Sequence, residues 1–200
     1  MNKHSRGGSL YSPMEPLSPP IEQIVLVDAE DQVIGLEEKL KVHQLGLLHR
    51  AFSVFIYRKN PEYSNVIEFL LQQRHVDKYH CGGLWTNACC SHPRLNEDII
   101  LAGQRRLKEE MSIVLTLKKV GSFQYKACFE NGLTEHEFDH VLLGEYDGVQ
   151  PIVLDPKEAQ DFRWVSEQRL QRELDLYSEH YTPWFKPAFH LVLEDLWFNS

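Results

Sequence analysis

From Ala51 to Tyr57 the chain reads AFSVFIY, apolar apart from Ser53 and dominated by β-branched or aromatic residues. Such a run predicts a strand buried on both faces. Val66 to Gln73 follows a polar turn at Asn60-Pro61, so the two segments predict a hairpin at the floor of the domain. Upstream, Ile24 to Val27 and Val33 to Leu36 flank the turn Asp28-Ala29-Glu30-Asp31 in a strand, turn, strand pattern. Downstream, Val114 to Lys119 and Ser122 to Cys128 predict strands, as does Phe162 to Val165. Thr134 to Tyr146 alternates sharply. Glu135, Glu137 and Asp139 fall on one face of the strand, and His136, Phe138 and His140 on the other.

Helical spacing appears in four places. Within Glu37 to His49 a short helix carries Lys39 and His43 four residues apart, with His49 at the end of the following loop. A central helix carries Asn96, Glu97 and Asp98 in its first turn, where acidic groups suit the positive helix end, and repeats Ile99, Ile100, Gly103, Leu107 and Met111 along one stripe. Ser166 suits an N-cap for a helix through Leu176, and a final helix spans Pro187 to Phe198. Strands interleaved with helices predict an α/β (α+β) fold, a mixed sheet flanked by helices in a single domain over 21–200. Met1 to Pro20 is rich in Ser, Gly and Pro and lacks periodicity, so a flexible leader is expected over 1–20.

Composition narrows the function classes. A hydrophobic fraction of 42% with 25% charged residues is that of an ordinary globular domain. The formal net charge of -8 argues against nucleic acid or an anionic membrane as partner, because phosphate backbones are held by clustered Lys and Arg. Cys81, Cys89, Cys90 and Cys128 accompany no secretory signal and read as reduced thiols of a cytoplasmic protein. No apolar run is long enough to span a bilayer.

Reactive side chains concentrate in Leu84 to Ile113, LWTNACCSHPRLNEDIILAGQRRLKEEMSI. The candidates are Cys90 as a reactive thiol, His43, His49, His92, Glu135 and Glu137 as metal ligands, and Lys39, Arg74, Lys78 and Arg106 as anion-binding cations. Taken singly, His43 and His49 fit hydrogen-bonded histidines and Glu135 and Glu137 a solvated strand face; together with His92 they suit a divalent cation. Three imidazoles and two carboxylates leave Zn²⁺, Mn²⁺ and Mg²⁺ open. Cys81, Cys89 and Cys128 read as buried thiols, Trp164 as core, and Arg105, Lys108 and Glu109 as a charged helix surface. The paired Cys-x-x-Cys spacing of a zinc knuckle is missing.

The spacing from Glu97 through Arg105, Glu109 and Glu110 to Ile113 resembles the Nudix signature, with three departures. Ser91 and Ser112 stand where that signature has Gly, and Arg106 where it has a Glu that helps hold a catalytic Mg²⁺. The resemblance therefore implies a diphosphate binder that does not hydrolyse its ligand. More closely, LLHRAFSVFIY, GGLWTNACCSHP, the RRLKEE helix and TEHEFDHVL, in this order, resemble the type I isopentenyl-diphosphate isomerases across Ile24 to Phe198. That resemblance implies a Nudix-like fold and the interconversion of isopentenyl and dimethylallyl diphosphate in isoprenoid synthesis, through protonation, a carbocation-like intermediate and deprotonation. It implies Cys90 and Glu137 as the acid/base pair, with Tyr125 and Trp184 as active-site aromatics. Lys39, Arg74, Lys78 and Arg106 would then hold the diphosphate, and Glu110 a Mg²⁺ shared with it. A second divalent cation would sit among His43, His49, His92, Glu135 and Glu137. The expected protein is a monomer in the cytoplasm. Two rivals remain: a Nudix pyrophosphohydrolase and a non-catalytic metal-binding module.

Overall fold

The computed structural model describes residues 22–198 except 64, so the leader expected over 1–20 lies outside the described residues. The chain opens with antiparallel β1 (Gln23–Val27) and β2 (Val33–Glu38), joined by a turn in which Asp28 Oδ1 accepts from the amides of Glu30 and Gln32. α1 (Lys39–Leu45) stops at Gly46, whose φ of 61° is cheap only for glycine; a side chain there would also press within 3.1 Å of Thr134. Then follow β3 (His49–Lys59), β4 (Ile67–Arg74) and the short β5 (Trp85–Thr86) and β6 (Cys89–Ser91), before α2 (Ile99–Met111). β7 (Lys118–Cys128), β8 (Thr134–Glu145) and β9 (Ala159–Ser166) complete one mixed sheet. α3 (Glu167–Leu176) and α4 (Phe185–Phe198) close the chain.

β3 organises the sheet. It runs parallel to β8, with His49 opposite Glu137, and antiparallel to β6, with Ser53 opposite Cys90. Its far end pairs with β4, which carries β9 and β5. The apolar run of β3 has the meaning its sequence suggests. Phe52, Val54 and Ile56 face a core layer built on Leu107 and Met111 of α2, while Phe55 faces a second layer built on Phe185 and Phe189 of α4. Each such fully buried side chain stabilises the fold by about 1.5–3 kcal/mol relative to exposure. Gly103 lets α2 lie close on the sheet, since a Cβ there would come within 2.5 Å of Leu142.

Several boundaries differ from the sequence pattern. Val114 to Leu117 is not a strand, and β7 is one continuous strand with an irregular register between Lys119 and Gly121. Leu115 and Leu117 are buried in the α2-side core without strand pairing, which is why their apolar pattern mimics one. α2 begins at Ile99, not at Asn96. Asp98 is its N-cap, accepting from the amides of Ile100 and Leu101, and Asn96 has a left-handed φ of 61°. His49 opens β3 rather than ending a loop, α4 starts at Phe185 rather than Pro187, and Ser166 holds the N-cap position without a side-chain bond. Cys89 is buried, Cys81 is half-buried and Cys128 is exposed, so the buried-thiol reading fails for Cys128 on the outer part of β7. No helix among the described residues is long and apolar enough to cross a membrane.

Candidate active site

The alternation of β8 places Glu135, Glu137 and Asp139 on its buried face, 2%, 9% and 0% exposed. His43 reaches them from α1 and His49 from the start of β3; His92 follows β6. The Nδ1 of His43 lies 2.6 Å from the Lys39 carbonyl and that of His49 lies 2.9 Å from the Leu47 carbonyl. A carbonyl only accepts, so both Nδ1 atoms carry the proton and both Nε2 atoms turn toward the carboxylates. Nε2 of His43 is 3.0 Å from Glu135, and Nε2 of His49 is 3.5 Å from Glu135 and 3.6 Å from Glu137. Nε2 of His92 is 3.3 Å from Glu137.

Four of these groups, His43, His49, His92 and Glu135, offer atoms that all lie within 4.8 Å of one another. His49 Nε2, both ring nitrogens of His92 and Glu135 Oε2 are buried without a hydrogen-bond partner among the described residues. Buried, partnerless ligand atoms gathered this closely, one from each residue, fit a divalent cation. The local electrostatics ask for the same positive charge. Burial disfavours a charged His49, but the close approach and negative charge of Glu135 and Glu137 outweigh it and push the imidazole up to about 10.

The predicted thiol sits beside this cluster. Sγ of Cys90 donates to Asn87 Oδ1 at 3.0 Å and receives the indole N–H of Trp184 at 3.1 Å. Asn87 is held in that orientation because its Nδ2 donates to the carbonyls of Val54 and Cys89. Burial, with Asp139 nearby, pushes the Cys90 thiol up to about 12. Glu137 accepts the Tyr125 hydroxyl at 2.6 Å, and the Tyr125 and Trp184 rings lie 6.0 Å apart.

A cavity of about 320 Å³ opens over both groups. Cys90, Glu137 and Trp184 line it, as do Lys39, Arg74, Lys78 and Arg106; Tyr125 reaches it only through Glu137. Most of these cations already face carboxylates. Lys39 pairs with Glu22 at 3.0 Å, Lys78 bonds Glu158, and Arg106 bonds Glu110 at 2.7 Å, Glu109 at 2.7 Å and Glu158 at 3.2 Å. Arg74 has its guanidinium 5.5 Å from the centre of the Trp184 ring. Burial raises the Glu110 carboxyl despite Arg106, whereas Lys78 and Arg106 overcome the burial of Glu158 and hold it below the usual range.

Sequence reasoning left out Glu22, Glu158 and His80, all of which line the cavity. Glu158 lies in the acidic stretch before β9 and Glu22 in front of β1, where nothing in the local pattern marks them. Arg105 and Glu109, read as plain helix surface, also line it, and Arg105 bonds Glu97 through Nε at 2.7 Å and Nη2 at 2.8 Å.

Arg105, Glu109 and Glu110, which carry the signature-like spacing, lie on a helix packed against the parallel β3–β8 pair. The NUDIX domain family matches residues 47–185, and the chain belongs to it. Solved structures agree on the fold: one from Deinococcus radiodurans superposes with a TM-score of 0.61 at 14% identity, covering 78% of this chain and 90% of that one. The MutT protein of Methanosarcina mazei superposes with a TM-score of 0.54 at 20% identity, covering 73% and 95%. Within this class the chain is a member of the isopentenyl-diphosphate Delta-isomerase family. It is 46% identical to the Serratia proteamaculans isopentenyl-diphosphate Delta-isomerase over 179 residues, 90% of this chain and 93% of that one. To the Photobacterium profundum isopentenyl-diphosphate Delta-isomerase it is 46% identical over 178 residues, 88% and 96% of the two chains.

Proposed function

We propose that this protein interconverts isopentenyl and dimethylallyl diphosphate, with Cys90 and Glu137 moving the protons. The observation that carries the reading is one cavity lined both by this thiol and carboxylate and by four cations. Transposing the double bond of an unactivated alkene needs a proton added at the terminal carbon and another removed two carbons away. An acid and a base must therefore reach the same bound chain. The group that gives a proton in one direction takes it back in reverse. Cys90 holds its proton at Sγ against Asn87, and Tyr125 fixes one oxygen of Glu137 so that its orientation is set before substrate arrives. The Trp184 face, in a cavity otherwise lined mostly by charged and polar groups, can stabilise positive charge developing on the carbon chain.

Lys39, Arg74, Lys78 and Arg106 bind the diphosphate oxygens, with Lys39, Lys78 and Arg106 exchanging carboxylate partners for phosphate. Arg106, standing where a hydrolytic Nudix protein has Glu, supplies charge for binding where hydrolysis would need a metal ligand. His43, His49, His92, Glu135 and Glu137 would hold one divalent cation, Zn²⁺, Mn²⁺ or Mg²⁺, and Glu110 a Mg²⁺ shared with the diphosphate. Bound there, these ions would supply positive charge that orients the carboxylate and neutralises the diphosphate. The protein then works as a cytoplasmic monomer on a free small molecule, without nucleic acid or membrane, in keeping with its charge of -8.

Proton and phosphorus NMR of isopentenyl diphosphate incubated with metal-loaded protein tests this reading. The vinyl signals should give way to those of dimethylallyl diphosphate while the diphosphate signals stay intact. Release of phosphate would make the protein a hydrolase, and unchanged substrate a binding module.

A further inference from the structure

His80 has no part in the reaction as described, yet it is buried against the metal cluster and meets it through Nε2. It is 7% exposed, in the connection between β4 and β5. Its Nε2 lies 2.5 Å from Glu135 Oε1, the same oxygen that His43 Nε2 faces at 3.0 Å. The imidazole lies flat on Phe129, with ring centres 4.9 Å apart and planes 3° from parallel. Tyr79 meets it edge-on at 4.5 Å and Trp184 at 6.1 Å. Its backbone is also bonded and closely packed: Arg74 donates to the His80 carbonyl, and a side chain at Gly82 would come within 2.3 Å of the Val76 carbonyl.

We propose that His80 is a positioning residue of the metal centre, donating its Nε2–H to Glu135 Oε1 so that Oε2 is presented to the cation. Glu135 Oε2 is buried, has no hydrogen-bond partner among the described residues and faces His49 Nε2 at 3.5 Å, as a ligand oxygen must. A carboxylate bound on one oxygen by a fixed donor loses its rotation about the terminal bond, and the cation then meets an oxygen already aimed. His80 meets Glu135 at Oε1 and leaves the partnerless Oε2 free, so its place is behind the ligand oxygen. The inference deepens the metal reading above and rests on it.

The test is Mn²⁺ affinity, read from the electron paramagnetic resonance signal of unbound Mn²⁺, for wild type, His80→Phe and His80→Gln, with metal-free melting curves confirming folding. Phe keeps the stack on Phe129 and removes the donor; the Gln amide can reach where Nε2 stands. We expect His80→Phe to bind Mn²⁺ about 10–100-fold more weakly and His80→Gln to stay close to wild type. Should the Phe variant not fold, His80→Asn, whose amide is too short to reach Glu135, takes its place. Wild-type affinity in the donor-free variant, or equal loss in His80→Gln, would overturn the role of His80 alone. A wild type that binds no Mn²⁺ would overturn it together with the metal site.

Discussion

Arg106 holds three carboxylates, and the one that matters most for stability is Glu110, whose side chain is 3% exposed. A buried carboxylate without its cation is costly, while an ion pair with one partner partly in solvent is worth less than a fully buried one. Replacing Arg106 by Ala is therefore expected to destabilise the metal-free protein by roughly 3 kcal/mol, measured by urea unfolding, as well as to weaken diphosphate binding. An unfolding free energy within 0.5 kcal/mol of wild type, a shift ordinary for a surface substitution, would mean that Glu110 is satisfied some other way. At this scale the sequence was informative about residue types and poor about partners. The Cys-Cys-x-His string marked the reactive loop. Nothing in it told that the Cys90 thiol would be gripped by Asn87 three residues before it and by Trp184 ninety-four residues after it. Glu158 and Glu22 were illegible for the same reason: their significance comes entirely from the cations the fold brings to them.

Among the elements, α2 shows how a loop is fastened to a helix. Glu97, one residue before the N-cap, accepts the Arg94 amide and both arms of the Arg105 guanidinium, so the segment that follows His92 is tied to the second turn of the helix. The Arg105 bond is the main reason the Glu97 carboxyl sits below its ordinary value of 4.5. A depressed carboxyl stabilises the fold fully above its unfolded value, and that stability is lost as pH falls below 4.5 through the folded value. Glu97→Gln should accordingly melt at a lower temperature than wild type at pH 6, by a difference equivalent to about 1 kcal/mol. The gap should close as the pH is lowered toward 3. A gap independent of pH would point to lost packing instead. Element existence followed from periodicity, since the buried run of β3 and the alternation of β8 have few other solutions. Boundaries followed less well. Leu115 and Leu117 are buried without pairing, and Ser112, where a glycine would ordinarily end the helix, takes the left-handed φ of 59° itself.

For the whole molecule, the parallel pairing of β3 with β8 makes one site from distant parts of the chain. It sets His49 opposite Glu137, and the neighbouring β6 sets Cys90 opposite Ser53, so thiol, carboxylates and imidazoles converge from three separate stretches of chain, 43–49, 90–92 and 135–137. That register was out of reach of periodicity, which assigns faces but not neighbours; the ordered motifs carried the family, and the family carried the convergence. The proposed chemistry has Cys90 and Glu137 pass protons to and from one bound carbon chain. Its most direct test is to incubate metal-loaded wild type and Cys90→Ala with isopentenyl diphosphate in deuterated water and follow product and deuterium by NMR. Wild type is expected to give dimethylallyl diphosphate carrying deuterium, with Cys90→Ala slower by about 10²–10⁴-fold. Product formed without deuterium, or formed at the wild-type rate by Cys90→Ala, would contradict the account.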